Sequence, residues 1–417
     1  MTISRRKMLT LAGGAGLAAL LPLPGWAMQA AEGLKPMTAG AKPIGREERL
    51  VRIARAQALM KAAGMSALLV ESGSSLDYFT GIRWGRSERL TAAVIPAEGE
   101  ILVVTPGFEE PSIRERLIVP GEVRVWQEDE SPFAVIAGWL KQRGPRAMRV
   151  GIEETVRFFA VDGLRKAMPE AAIVDGSAVA RGCRMIKSPA EIALMQIASD
   201  VQLAAYRHIA TRVEAGMSQG DLRALMLATS RALGGDDGWA LILIGESSAY
   251  PHGSDKPQRV GEGMVVLFDC GVAVHGYQSD ISRTMVFGRP SAEQARVFGH
   301  VVRGQTAAMQ AARIGAEAGS VDDAVRRLYE SLGYGPGYKL PGTSHRTGHG
   351  IGMDGHEPVN LVRGERTRLA SGMCFSNEPG IYLPGAFGVR LEDCFYITAD
   401  GPRYFSEPVA SLEAPFG

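Results

Sequence analysis

The 417-residue sequence lacks the compositional features that mark several classes of protein. Its four cysteines are far apart and include no Cys-x-x-Cys pair, which excludes a disulfide scaffold and gives no indication of a zinc or redox site. The 51 glycines and 23 prolines form no period and no low-complexity block, which excludes collagen-like and disordered classes. With 46 basic and 45 acidic residues, the charge gives no reason to expect nucleic acid or an anionic membrane as a partner. The 46% of hydrophobic residues and the length indicate a folded protein of two or three domains.

The N-terminus has the pattern of a secretory signal. A basic start that contains Arg5 and Arg6 precedes a short apolar run at 9–21, and small residues follow up to Ala27. We therefore expect a cleavable signal over residues 1–27. The adjacent arginines resemble a twin-arginine export signal, which implies the twin-arginine export machinery as a partner and a periplasmic location. A buried N-terminal helix or a membrane anchor is the alternative, although the run is shorter than the ~20 residues of a membrane span.

The rest of the chain divides into three segments. Residues 28–45 are rich in Gly, Pro and Ala and are expected to form a linker. Over residues 46–182, helix-like and strand-like patterns alternate, which predicts a smaller α/β domain. Residues 183–417 are expected to form a second domain, whose first helix begins at a capping box of Ser188 and Glu191.

The second domain has the pattern of an α+β fold. Its strand-like runs are joined by loops of hairpin length, which favours an antiparallel sheet covered by helices. These runs lie at 240–244, 264–270, 279–287, 373–377 and 389–398.

Four acidic residues and one histidine of the second domain occupy distinctive positions. Asp269 is expected to end one apolar strand and Asp280 to begin the next, and Glu378 and Glu392 also lie at predicted strand edges. Together with His349 they form an oxygen-rich set that suits two divalent cations. Each residue alone is more often a surface charge, but four acids on buried strands would be costly without a compensating cation.

Seven short motifs of this domain occur together in one order. The chain resembles the Xaa-Pro aminopeptidase and prolidase family of metallopeptidases, which have the creatinase or pita-bread fold. The resemblance extends to residues 77–81 and to the domain junction, and it implies a creatinase-type N-terminal domain before a pita-bread catalytic domain. The motifs are Pro-His-Gly at 251–253, Asp-Cys-Gly at 269–271, Tyr-Gln-Ser-Asp at 277–280, His-Arg-Thr-Gly-His-Gly-Ile-Gly at 345–352, His-Glu-Pro at 356–358, Asn-Glu-Pro-Gly at 377–380 and Arg-Leu-Glu-Asp at 390–393.

The resemblance also implies roles for individual residues. All five metal-ligand positions of the family are filled, by Asp269, Asp280, His349, Glu378 and Glu392. Asp280 and Glu392 would bridge two divalent ions, with Mn²⁺ expected and Zn²⁺ or Co²⁺ as alternatives. His252, His356 and Glu378 match catalytic positions, and His345 and Arg390 match positions near the substrate.

The expected reaction is hydrolysis of an Xaa-Pro bond, by a hydroxide held between the two metal ions, in peptides with proline in the second position. The expected assembly is a homodimer or larger homo-oligomer. The residues leave open whether the substrate is a dipeptide or a longer peptide. They also leave open a metal-dependent hydrolase or lyase that acts on a small non-peptide substrate. A metal-free binding protein on the same fold is the third alternative, although no ligand position is missing.

Overall fold

The computed structural model describes residues 23–144, 148–409 and 411–416, so residues 1–22 of the predicted signal lie outside it. The strands are β1 Ala67–Glu71, β2 Ala92–Pro96, β3 Ile101–Pro106, β4 Gly121–Trp126, β5 Arg149–Ile152, β6 Ala172–Asp175, β7 Asp236–Ile244, β8 Val265–Val274, β9 Tyr277–Gln278, β10 Ile281–Val286, β11 Gly348–Gly350, β12 Glu357–Leu361, β13 Cys374–Asn377, β14 Ile381–Leu383, β15 Phe387–Val389, β16 Asp393–Thr398 and β17 Gly401–Tyr404. The helices are α1 Gly25–Ala30, α2 Arg46–Ala62, α3 Ser74–Thr80, α4 Glu110–Arg116, α5 Pro132–Lys141, α6 Phe158–Ala167, α7 Ser177–Arg184, α8 Pro189–Ala210, α9 Gln219–Ala232, α10 Ala292–Ala311 and α11 Ala318–Ser331.

The N-terminal domain is a mixed sheet with helices around it. Its six strands lie in the order β4-β3-β2-β1-β5-β6, in which β1, β2 and β3 are antiparallel neighbours and the other pairs are parallel. The strands β1, β2 and β3 are buried along their whole length, as expected for strands that are covered on both faces. The predicted α/β character of this domain is confirmed.

The second domain is built on antiparallel sheets, as predicted. One sheet has the order β10-β8-β7, with β9 beside β8, and a second has the order β12-β11-β13-β16-β17. A backbone bridge between Ser282 and Glu392 joins β10 to the segment before β16, so the two sheets meet at that point. Strands β14 and β15, which lie between β13 and β16 in the chain, form a separate two-stranded sheet.

Helix α8 packs behind the first sheet. Its start is the predicted capping box, because Ser188 Oγ accepts a hydrogen bond from Glu191 N at 3.2 Å and the Glu191 carboxylate accepts one from Ser188 N at 2.8 Å. On its buried face, Tyr206 packs edge-on against Phe268 of β8 and donates to Ile281 O at 2.5 Å. The helix therefore fixes the backbone beside both aspartates of the predicted metal site.

The segment before the N-terminal domain lies against the catalytic domain. Helix α1 packs on α9, where Ala27 is fully buried near Ala228, and His208 Nε2 lies 2.8 Å from Ala30 O. The predicted signal boundary at residue 27 falls inside α1, and the predicted linker continues along the same surface, where Met37 N donates to Leu233 O at 2.8 Å. No helix among the described residues is long and apolar enough to cross a membrane.

Two strands differ from the sequence-based expectation. Strand β8 continues to Val274, so Asp269 lies in its middle rather than at its end. The expected strand 389–398 is interrupted, because β15 ends at Val389 and β16 begins at Asp393. The three residues between β15 and β16 pair with neither β14 nor β13.

Candidate active site

The structure brings the five predicted metal ligands into one cluster. Asp269 lies on β8, Asp280 precedes β10, His349 lies on β11, Glu378 follows β13 and Glu392 precedes β16. In each of three overlapping groups, the possible ligand atoms lie within 4.8 Å of one another. These groups are Asp269-Asp280-Glu392, His349-Glu378-Glu392 and Asp280-His349-His356.

Strand pairing explains how distant parts of the sequence reach this cluster. Asp269 on β8 is the register partner of Ser282 on β10, and Ser282 is bridged in turn to Glu392. The Ser282 hydroxyl lies 2.9 Å from Asp269 Oδ1 and 2.8 Å from Glu392 Oε2, and its single proton serves one of them at a time. Ser282 therefore orients two carboxylates that are far apart in the chain.

The electrostatics of the cluster fit bound cations. Asp280 Oδ1 and Glu392 Oε1 are buried and have no hydrogen-bond partner within the described part of the chain. Burial, followed by the neighbouring carboxylates, raises the pKa of Asp280 and of Glu392 well above the usual range. Burial likewise raises the pKa of Glu378 to about 7. Because buried, unpaired acceptors are costly, the arrangement indicates that positive charge belongs between them.

His349 has the geometry of a metal ligand. Its Nδ1 lies 3.1 Å from Gly350 O, and a carbonyl can only accept, so the neutral ring carries its proton on Nδ1. The lone pair of Nε2 then faces Glu378 Oε1 at 3.4 Å and Asp280 Oδ2 at 3.7 Å. Burial lowers the pKa of His349 well below the usual range and keeps the ring neutral. Two acceptors that face each other repel unless a cation lies between them.

A hydrogen-bonded chain connects Asp269 with His345. Arg390 NH2 donates to Asp269 Oδ2 at 2.6 Å, and Arg390 NH1 lies 3.0 Å from the Tyr382 hydroxyl. That hydroxyl lies 2.7 Å from His345 Nε2, and His345 Nδ1 lies 2.8 Å from Arg346 O. Burial lowers the pKa of His345 to about 3, so the ring is neutral, donates from Nδ1 to the carbonyl and accepts at Nε2 from Tyr382. His345 and Arg390, predicted near the substrate, thus have most of their polar atoms engaged by protein groups.

His252 and His356 line the open side of the cluster. Both are exposed to the pocket, and the ring of His356 lies 4.2 Å from that of His349, centroid to centroid. Arg390 NH1 donates to Pro251 O at 3.1 Å and so holds the turn that carries His252. Burial and then the charge of Arg346 lower the pKa of His356.

The loop of His356 is tied to the junction between the two domains through a buried ion cluster. Glu357 accepts hydrogen bonds from Arg184 NH2 at 2.6 Å and from Lys187 Nζ at 2.8 Å, and all three side chains are buried. Burial alone would raise the pKa of Glu357, but the two cations outweigh it and hold the pKa at about 2. The ion cluster thereby fixes the backbone next to His356.

The cluster lies at the base of a pocket of about 880 Å³. Asp237, Trp239 and Gln278 line its outer part, and the exposed Asp237 forms an ion pair of 2.6 Å with Arg83 of the N-terminal domain. The sequence patterns indicated no role for these lining residues, nor for Ser282, Tyr382 and Arg346. Arg346 lies within one of the seven motifs, and Ser282 and Tyr382 each lie two residues after one. Their closeness to the motifs could have indicated them.

Comparisons with known proteins agree with this geometry. The model of metallopeptidase family M24 matches residues 193–399, and that of the creatinase/prolidase N-terminal domain matches residues 52–186. The putative dipeptidase YkvY of Bacillus subtilis is 30% identical over 84% of this chain and 96% of its own length. The Xaa-Pro dipeptidase of Lactobacillus helveticus is 30% identical over 81% of this chain and 92% of its own length.

Solved structures show the same architecture. Dipeptidase PepE from Mycobacterium ulcerans superposes with a TM-score of 0.81 at 29% identity, over 89% of this chain and 99% of its own. The recombinant prolidase from Thermococcus sibiricus superposes with a TM-score of 0.80 at 30% identity, again over 89% and 99%. The predicted pita-bread domain with a creatinase-type N-terminal domain is therefore confirmed.

Proposed function

The chain belongs to metallopeptidase family M24, and on that premise we propose that it hydrolyses the bond between an N-terminal residue and a following proline. The observation that carries the proposal is the buried cluster of four carboxylates around the unprotonated Nε2 of His349, with His252 and His356 at its open side. The names of similar proteins support the proline preference, since they include an Xaa-Pro dipeptidase and a prolidase.

Asp269, Asp280, His349, Glu378 and Glu392 would hold two divalent ions. Two such ions supply Lewis-acid chemistry, since they lower the pKa of water and polarise a carbonyl group. We propose Mn²⁺ as the native metal because four oxygen donors and one imidazole suit it, with Zn²⁺ or Co²⁺ as alternatives.

The surrounding side chains carry the proton transfers. Glu378, which lines the pocket and lies 3.4 Å from His349 Nε2, accepts the proton of the attacking water. An Xaa-Pro nitrogen carries no hydrogen and must gain one before it leaves. His356 and His252, on the open side of the cluster, donate to the developing oxyanion and to this leaving nitrogen. The products are a free amino acid and proline, or a peptide that begins with proline.

A substrate panel tests the proposal. The purified enzyme, loaded with Mn²⁺, would be assayed with Ala-Pro, Ala-Pro-Ala and the control Ala-Ala, before and after removal of metal by a chelator. We expect cleavage of proline-containing substrates only in the loaded form, and close to two metal ions per chain by elemental analysis. Full turnover in stripped protein would contradict the proposal. If loaded protein cleaves none of the peptides, the alternative of a small non-peptide substrate replaces it.

We also propose export through the twin-arginine pathway to the periplasm, on the basis of Arg5, Arg6 and the apolar run that follows them. Replacing both arginines by lysine should retain the precursor in the cytoplasm, as cell fractionation would show. A Lys7→Arg variant keeps the pair and serves as the matched control. Unchanged export of the double variant would indicate another route.

The proposed assembly is a homodimer or larger homo-oligomer, which the family resemblance supports. Light scattering coupled to size-exclusion chromatography measures it directly. A monomer at the concentrations used for activity would contradict this proposal.

A further inference from the structure

An ion pair lies completely inside the catalytic domain, directly beside the metal-ligand segments. Arg283 of β10 and Asp393 of β16 are 1% and 0% exposed, and Arg283 NH2 donates to Asp393 Oδ1 at 2.7 Å. Neither residue lines the pocket. Taking two charges out of water is costly, and well-packed apolar residues of similar volume often stabilise a protein equally well or better. A gain in stability is therefore a poor explanation for this pair.

Arg283 holds the point where the two sheets meet. Its NH1 donates to Ser282 O and to Glu392 O, both at 3.0 Å. The same two residues exchange backbone hydrogen bonds, in which Ser282 N donates to Glu392 O at 3.2 Å and Glu392 N donates to Ser282 O at 3.1 Å. Ser282 lies two residues after Asp280 in the chain. One guanidinium thus binds the backbone of two segments that carry predicted metal ligands.

Asp393 extends these contacts to the segment of Glu378. Its Oδ2 accepts a hydrogen bond from Gln305 Nε2 of α10 at 3.1 Å, and the same amide donates to Asn377 O at 3.2 Å. Asn377 donates in return to Gln305 O at 3.0 Å, and it directly precedes Glu378. The Ser406 hydroxyl donates to Asp393 Oδ1 at 2.5 Å. The ion pair is therefore connected to three ligand segments that lie far apart in the sequence.

We propose that Arg283 and Asp393 are positioning residues, which hold the segments of Asp280, Glu378 and Glu392 at the spacing that two divalent ions require. Carboxylates that lie close together repel each other before cations bind, and hydrogen bonds to their backbone oppose their separation. Because the two charges of the pair cancel, the pair acts on the cluster through the backbone rather than through net charge. The kinetic part of this inference rests on the proposed function, whereas the metal-binding part does not.

Replacing the whole pair separates positioning from stability. Arg283→Met alone leaves Asp393 buried without its cation and should lower the unfolding midpoint of the protein. The double variant Arg283→Met/Asp393→Leu removes both charges and should restore most of that midpoint. Calorimetric titration of chelator-stripped protein with Mn²⁺ should nevertheless show binding weakened by about 10- to 100-fold in both variants, because the contacts to the ligand segments are lost in both.

Two milder variants and a control accompany these proteins. Arg283→Lys keeps the charge but loses the planar fork, so its Mn²⁺ affinity should lie between those of wild type and Arg283→Met. Gln305→Met keeps both charges, breaks only the connection to Asn377, and should weaken Mn²⁺ binding by about 10-fold. Arg157→Met is the matched control in the N-terminal domain, because it leaves the buried Glu71 without its cation. It should lower the unfolding midpoint without changing Mn²⁺ affinity.

Steady-state kinetics with Ala-Pro at saturating Mn²⁺ provide a second readout. Since neither residue of the pair contacts the pocket, the double variant should lose kcat by about 10- to 100-fold and change KM by less than about 3-fold.

Mn²⁺ affinity that returns to the wild-type value together with the unfolding midpoint in the double variant would overturn the proposal, because the pair would then serve stability alone. Unchanged Mn²⁺ affinity in Arg283→Met and Gln305→Met would overturn it as well. The titration uses no peptide, so the two proposals fail separately. Proteins that bind Mn²⁺ as stated while wild type cleaves no Xaa-Pro substrate would refute the proposed function and support the positioning role.

Discussion

Removing the metal ions should make the protein progressively less stable as the pH rises through 7. The reason is the carboxylate cluster, where burial raises the pKa of Glu378 from 4.5 to about 7 and raises those of Asp280 and Glu392 well above the usual range. A group whose pKa is higher in the folded state stabilises that state fully below the unfolded-state pKa, near 4.5. This contribution disappears as the pH rises through the folded-state pKa.

The size of the effect follows from Glu378 alone. At about 1.4 kcal/mol for each tenfold change in acid dissociation, a rise from 4.5 to about 7 corresponds to roughly 3 kcal/mol of unfolding free energy. For a domain of about 150–250 residues, 1 kcal/mol shifts the unfolding midpoint by about 2–4 °C. The difference in unfolding midpoint between metal-loaded and metal-stripped protein should therefore increase by roughly 6–12 °C between pH 5 and pH 8.5. Asp280 and Glu392 act in the same direction.

Differential scanning calorimetry of Mn²⁺-loaded and chelator-stripped protein at constant ionic strength measures this gap. Comparing the two forms at each pH cancels the titration of groups outside the cluster. Glu378→Gln should remove about 3 kcal/mol of the pH dependence of the stripped form. Glu170→Gln, at an exposed position, should leave it unchanged. A gap that stays constant or narrows as the pH rises would refute the reasoning.

Three further predictions concern single side chains. Asp280→Ala should abolish peptide cleavage and lower the bound metal below two ions per chain, measured by elemental analysis; full metal content with full activity would contradict its role as a shared ligand. Glu357→Gln should lower the free energy of unfolding by about 3–5 kcal/mol, since it leaves the buried Lys187 without an ion-pair partner and Arg184 with Asp354 alone, and should reduce kcat through the neighbouring His356. Denaturant titration and steady-state kinetics measure both effects, and an unchanged stability would show that the ion cluster carries little weight. Cys270 and Cys394, whose pKa values burial raises, should react with a thiol reagent only after unfolding; rapid labelling of the native protein would contradict this.

Features of the fold and the site that depend on residues close together in the chain could be predicted from the sequence. The start of α8 could be predicted because Ser188 and Glu191 satisfy each other's backbone within one turn. The metal-ligand candidates could be named because each lies in a short motif, and the structure brings all five together.

Pairing between distant strands could not be predicted in the same way. The expected strand 389–398 splits because the chain pairs with β14 up to Val389 and with β13 from Asp393. Between them Glu392 pairs with Ser282 of the other sheet. Asp269 lies within its strand for a similar reason, since pairing with β7 and β9 continues the ladder to Val274. Neither partner is visible in the local pattern of apolar residues.

The N-terminal domain takes part in the site through buried charge rather than through ligands. Tyr277 lies three residues before Asp280 in the chain. Arg52 of α2 donates to the Tyr277 hydroxyl at 2.9 Å, and that hydroxyl donates to Glu191 at 2.8 Å. At the other side of the pocket, Arg184 of α7 binds Glu357, next to His356. Each contact pairs a cation of the N-terminal domain or of the domain junction with a carboxylate of the catalytic domain. Separating them would remove one partner from each buried charge, although Arg52 would keep Glu48 and Glu357 would keep Lys187. The two domains therefore position the metal-ligand and proton-transfer loops together, although every residue of the metal cluster comes from the catalytic domain.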